Sequence, residues 1–356
     1  MKFLLIIFLI PFSLISPAQE GPNTYLNTHH YSFSVDTGFD RLTSEVLKQK
    51  LSQYKLVILG EAGSHYLQFY EPLRFTLIKF LNSSFGLTHF FMEYGHSSQI
   101  ICNQYLQTDD TSYLPKARFT KNKIFWRNLF SYNLLQNKKI KSFGIDFERT
   151  HSYCKALKFL LPNIRPSEKI ESVIELIKTS NDTLNDCDYI ISLNSKIENA
   201  LKDNIEEFKI FFAKNFIDFQ SIVENNGTCK DASKNRNQNM AINFLSFDKK
   251  FNDKIYYGQL GMAHTIFSTK NTASYINSSP AFKNKVCIIN TYCYNCTTIE
   301  ESVSNWPLHK IEKDILQQLL KYCITDFTLF DFSENNEAVN KFRTYGQFLI
   351  VAKNQN

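Results

Sequence analysis

Three acidic residues and two histidines stand where apolar runs end. Glu61 and His65 follow residues 55–59 (KLVIL), Glu93 follows 89–92 (HFFM), and Asp146 follows 140–145 (IKSFGI). His264 closes the loop GQLGMAH that comes after 254–257 (KIYY). A histidine of near-neutral pKa takes a proton from water. A carboxylate beside it fixes the imidazole tautomer and stabilises the imidazolium. Glu61 and His65, in one turn region, have the types for such a pair. Arg74, a little further on, supplies a planar cation that holds a carboxylate or steadies an oxyanion. His264 is a second acid/base or a ligand. Glu61, His65, Glu93 and His264 together also have the donor types of a Zn, Mn or Fe site. Taken singly, each is as readily a helix cap, a surface charge or a core histidine, and their shared position singles them out. His29, His30, His89, His96, His151 and His309 lack that position and read as structural.

The elements that position these groups follow from hydrophobic periodicity. Residues 55–59, 89–92, 140–145, 254–257, 286–289 and 347–351 read as short buried strands. Between them, residues 39–51, 67–81, 124–135 and 236–245 carry apolar residues at helical spacing. Pro72 implies a late start or a kink in the second of these helices. Residues 152–223 read as a run of amphipathic helices, an insertion or cap extending to about 232 that ends in the loop 224–234. Residues 19–37 read as a polar lead-in. Strands alternating with helices predict an α/β fold, three layers about a mainly parallel sheet with a large helical insertion. In such a sheet, sites form outside the carboxyl ends of the strands, so four strands each deliver an acid or a histidine to one edge.

Composition narrows the function. The 356 residues are 43% hydrophobic and 21% charged, with mean hydropathy −0.27, which excludes a disordered chain and a multi-span membrane protein. The net charge of +6 comes from Lys and Arg spread along the chain, without the basic clusters interleaved with aromatics that nucleic-acid binding calls for. There is no G-x-S-x-G elbow, no G-x-G-x-x-G and no P-loop. Met1-Lys2, an apolar run over 3–15 and the small residues Ser16-Pro17-Ala18 read as a signal peptide spanning 1–18, which leaves no stable membrane span after cleavage. The expected location is therefore periplasmic or secreted. There the 8 cysteines favour disulfides plus buried thiols over a zinc site, because Cys293-x-x-Cys296 has no second pair.

The segment VILGEAGSHYLQFYEPLRFTLIKFLNSSFGLTHFFMEYG (57–95) resembles the opening block of the erythromycin esterase-like family: a strand, Gly-Glu-x-x-His, a helix with an arginine, a second strand and a glutamate. FGID (143–146) resembles its Gly-Phe-Asp step, and RNQNMAINFL (236–245) its Arg-x-x-x-Met-x-x-Asn helix. KIYYGQLGMAHTI (254–266) resembles its closing strand and histidine. On these blocks, which span about 57–266, the chain looks like a divergent member of the superfamily that holds erythromycin esterase and the haem-binding ChaN-like proteins. The resemblance implies that Glu61 and His65 activate water, that Arg74, Glu93 and His264 complete the catalytic pocket, and that Asp146 and Arg236 support it. Two departures stand out. Three residues separate Glu61 from His65 where the family has two. Gly261 takes the place of the first closing histidine, as in the Gly-x-x-His motif of related haem-binding and metalloprotease branches.

The expected protein is a single α/β domain over 19–356, an exported hydrolase that uses a Glu-assisted His to drive water onto a small-molecule ester or lactone. No cofactor and no nucleic-acid partner are expected. The alternatives are a metal-dependent hydrolase at the same residues and a non-catalytic protein that binds haem or a metal.

Overall fold

The computed structural model describes residues 21–62, 69–114, 123–184, 186–225, 235–266, 270–294, 296–297, 303–304, 313–334, 336–343 and 345–353. His65, residues 1–18 and most of the loop 224–234 lie outside them.

The chain begins with α1 (Pro22–Thr28), β1 (His30–Phe33) and α2 (Arg41–Leu51), then enters β2 (Leu56–Glu61). The elements α3 (Tyr70–Phe85), β3 (His89–Gly95), α4 (His96–Thr108), α5 (Lys123–Leu134) and β4 (Lys141–Asp146) follow. The helices α6 (Thr150–Leu160), α7 (Glu171–Thr179), α8 (Cys187–Asp203), α9 (Ile205–Phe212) and α10 (Phe216–Val223) separate β4 from α11 (Arg236–Phe251). Then come β5 (Tyr256–Gly261), α12 (Thr272–Ser278), β6 (Val286–Tyr294) and the two-residue strands β7 (Cys296–Thr297) and β8 (Val303–Ser304). The elements α13 (Lys313–Leu320), β9 (Phe327–Asp331), α14 (Asn340–Arg343) and β10 (Phe348–Lys353) close the chain.

Eight strands form one sheet in the order β1-β9-β10-β6-β2-β5-β3-β4. The run from β10 to β4 is parallel, and β9 lies antiparallel between β10 and β1. The expected architecture is thus the observed one. In β2 every residue is buried, as a strand covered on both faces must be. Its alternation divides the layers: Val57 and Leu59 join Leu73, Leu77 and Phe125 on one side, and Leu56 and Ile58 join Met240, Phe244 and Ile276 on the other. α3 starts at Tyr70, so Pro72 sits in the first turn, where no intrahelical N–H bond is lost. It ends at Gly86, whose φ of 75° suits the left-handed cap.

The helices α6–α10 build a core of their own. Leu157, Ile174, Ile197, Phe208, Phe212 and Phe219 bury against one another and against Ile100 and Ile101 of α4, and among the described residues no strand residue joins them. The phenylalanines of α9 and α10 are the packing of this cap.

The structure corrects the N-terminal reading. Within residues 19–37, the described part from 21 on holds α1 and the edge strand β1, not a lead-in. Only Phe33 of β1 is fully buried, so no run of apolar residues marks the strand. β9 also went unanticipated, although all of it is buried.

Candidate active site

The strands β2, β5, β3 and β4 are adjacent in that order, so their carboxyl ends make one continuous edge. Glu61 ends β2, Glu93 lies near the end of β3, Asp146 ends β4, and His264 follows β5 in a short 3-10 turn, Met262–His264. The structure places these candidates along that edge and divides them between two groups, Glu61 with Arg74 and Glu93 with Asp146, Arg236 and His264.

Two clusters flank β5. The first lies on the α3 side. By strand alternation Glu61 follows Leu59 and Gln259 follows Tyr257 onto that face. Gln259 donates its side-chain amide to Oε1 of Glu61 and accepts from Nε of Arg74. Nη2 of Arg74 stands 3.8 Å from the same Glu61 oxygen. Glu61 and Arg74 are 4% and 5% exposed, so their attraction acts with little screening by water. The turn after Glu61 is pinned as well. Thr291 Oγ1 donates to the Gly60 carbonyl at 2.9 Å and accepts from the Ala62 N–H at 3.1 Å, and the Tyr70 hydroxyl donates to the Ala62 carbonyl at 3.0 Å. Gly60 has no room for a side chain, since a Cβ there would fall 1.8 Å from Asn290 Oδ1.

The second cluster lies on the α11 side. Arg236, the first residue of α11, grips Asp146 with a fork: Nε donates to Oδ1 at 2.9 Å and Nη2 to Oδ2 at 2.6 Å. Nη2 also reaches Glu93 Oε1 at 2.6 Å. The other Glu93 oxygen accepts from the Gly261 backbone N–H at 2.8 Å. His264 sets Nε2 3.3 Å from Glu93 Oε1, while Nδ1 meets Asn237 Oδ1, which also accepts from Thr272 at 2.9 Å. Both ring nitrogens are engaged, which fixes the plane of the imidazole. The Asp146 hydrogen bonds first, then the charges of Asp146 and Glu93, hold Arg236 still more firmly protonated than usual. This cluster meets solvent, with 29% of the Arg236 side chain exposed.

The edge therefore offers a buried carboxylate–guanidinium pair, a half-buried histidine and a pair of carboxylates held by an arginine. Gly261 serves as a backbone donor to Glu93. Of the residues with metal-ligand types, Glu61 is engaged by Gln259 and Arg74, and Glu93 by Arg236 and His264. The two glutamates sit on strands two spacings apart, ~9–10 Å. As arranged, Glu61 and Glu93 fit cationic side-chain partners better than one shared metal ion.

Sequence reasoning missed Gln259, Asn237 and Thr272. Gln259 left a signal, a polar residue amid the apolar run YYGQL, but the strand expected over 254–257 stops four residues short of its end at Gly261. Asn237 and Thr272 left none, since each acts by orienting another side chain.

No protein-family model matches the chain, and no curated protein matches it. Solved structures do. A protein from Bacillus cereus is similar over 93% of this chain and 96% of its own, with 15% identity and a TM-score of 0.65. A succinoglycan biosynthesis protein is similar over 93% of this chain and 96% of its own, with 14% identity and a TM-score of 0.68. A mutant of the erythromycin esterase EreC in its open conformation is similar over 90% of this chain and 95% of its own, with 12% identity and a TM-score of 0.61. These likenesses establish that the chain shares its fold, nearly end to end, with the erythromycin esterase and the two other proteins.

Proposed function

We propose that this chain is an exported hydrolase of the erythromycin esterase-like kind, acting on an ester or lactone of a small molecule. His65 takes a proton from water, and the water oxygen attacks the substrate carbonyl. Glu61 orients the imidazole and stabilises its charged form. Arg74 or His264 stabilises the oxyanion, and the imidazolium returns its proton to the leaving oxygen.

The observation that carries this reading is the buried Glu61–Gln259–Arg74 chain at the carboxyl edge, in a fold shared with an erythromycin esterase. Export draws support from the leader-like residues 1–18 and from Cys187 and Cys293, which are disulfide-bonded.

The test is hydrolysis of a panel of small esters and macrolactones by the mature chain, with His65→Ala as control and a chelator in parallel. Turnover lost in the variant and indifferent to chelator supports the proposal. Turnover lost to chelator as well favours a metal-dependent hydrolase at the same residues. No turnover on any member contradicts ester hydrolysis and favours a binding role.

A further inference from the structure

Helix α3 carries a second buried carboxyl that the proposed chemistry leaves unused. Glu71 stands three residues before Arg74, so the two side chains share a face of the helix. Both are buried. The Glu71 carboxyl accepts a hydrogen bond from the Phe125 N–H in the first turn of α5, while its Oε1 has no hydrogen-bond partner among the described residues. Arg74 gives Nε to Gln259 and turns Nη2 to Glu61, and its Nη1 likewise has no partner among the described residues. The Arg74 guanidinium lies 4.7 Å from the centre of the Phe125 ring. One residue of α5 thus holds Glu71 by its backbone and Arg74 by its ring.

Two buried carboxyls here face a single guanidinium. A buried carboxylate without a full counter-charge is costly, and taking up a proton relieves that cost. Burial pushes Glu71 up to about 7, against the pull of Arg74 and the Phe125 N–H. Among the described residues, the other ionisable groups at Arg74 are Tyr94 of β3 and Tyr257 of β5, both raised by burial and uncharged at neutral pH, and Glu61 of β2 beyond the guanidinium. On α5, Arg127 is exposed.

We propose that Glu71 is a positioning residue for Arg74: as the neutral acid it leaves the guanidinium's charge to Glu61, and as the carboxylate it draws that charge toward itself. Its role in turnover rests on the reading of Arg74 as part of the hydrolytic site; the coupling itself does not. The proton exchanged passes to and from solvent, and no other group changes state.

The experiment is a carboxyl 13C NMR titration of the full mature chain, labelled at glutamate, as wild type, Glu71→Gln and Arg74→Gln. One resonance should titrate near neutral pH, vanish in Glu71→Gln and move to higher pH in Arg74→Gln. Where Arg74→Gln does not fold, Gln259→Leu takes its place, since it frees Arg74 toward Glu71 and should move the midpoint down. A Glu71 resonance titrating in the ordinary carboxylate range, or one indifferent to these changes, overturns the proposal. On an ester that the wild type hydrolyses, kcat for wild type relative to Glu71→Gln should fall about tenfold from pH 6 to pH 8.5, as expected when a charged hydrogen bond is redirected. A ratio constant with pH overturns the role in turnover. Absence of hydrolysis in every variant would instead strike the proposed function, and the NMR coupling would still decide whether Glu71 acts on Arg74.

Discussion

Gln259 of β5 hands its side-chain amide to Glu61 of β2, and on its other side it takes the Nε–H of Arg74. A neutral amide thus links a carboxylate to a guanidinium that stands 3.8 Å from it. Each buried charge keeps a hydrogen-bonded partner without the two collapsing into direct contact. Replacing Gln259 with Leu fills the space and removes both bonds. Chemical denaturation should show a loss of about 1–3 kcal/mol, the cost of a buried polar group left without its partner. Hydrolysis should fall by at least ~10-fold as Glu61 loses its fixed orientation. Unchanged stability and turnover would show that the link carries neither.

Arg236 holds Asp146 through a two-pronged grip that lysine cannot reproduce. Arg236→Lys keeps the charge and loses the fork. Stability should drop by about 1–2 kcal/mol. Glu93, freed on that side, should leave His264 less well oriented, so kcat should fall more than KM rises. An Arg236→Lys enzyme with wild-type kcat would remove the α11-side cluster from the chemistry.

Glu71 gives stability a pH dependence of known sign. Its folded value of about 7 lies above the ordinary 4.5, so the folded chain keeps a proton that the unfolded chain releases between those values. The stabilisation is full below pH 4.5 and is lost as pH rises through 7. The difference between wild type and Glu71→Gln should therefore move against the wild type by roughly 2–3 kcal/mol over that window. Urea denaturation at pH 4.5, 6 and 8 measures it, and parallel curves for the two proteins would contradict it.

Cys187 and Cys293 are disulfide-bonded, while Cys102, Cys154, Cys287 and Cys323 are buried free thiols. Alkylation of the denatured, unreduced chain should mark those four free thiols and spare Cys187 and Cys293. Reduction should cost about 2–4 kcal/mol of stability. Alkylation at Cys187 or Cys293 before reduction would contradict the assignment and weaken the case for export.

The sheet was legible in the sequence wherever burial on both faces leaves a continuous apolar run, as in KLVIL before Glu61. It was not legible at β1, where a single residue of four is fully buried and pairing with β9 decides the structure. The site was legible to the extent that its residues end strands: Glu61, Glu93 and Asp146 follow from that rule, and His264 from the loop after β5. Gln259 was lost to a strand end set at Tyr257, although by alternation it shares a face with that residue. Glu71 was lost because an acid in the first turn of a helix ordinarily serves the helix dipole. Only the approach of Phe125 from α5 shows it buried.

The central claim is that His65, oriented by Glu61, activates water. The most direct measurement compares ester hydrolysis by the wild type, His65→Ala and Glu61→Gln at one pH, with thermal midpoints recorded for each. The account predicts that His65→Ala loses at least ~100-fold in kcat, the usual worth of a general base. Glu61→Gln should lose a comparable factor, with both variants still folded. A folded His65→Ala protein that hydrolyses the ester at the wild-type rate would contradict it.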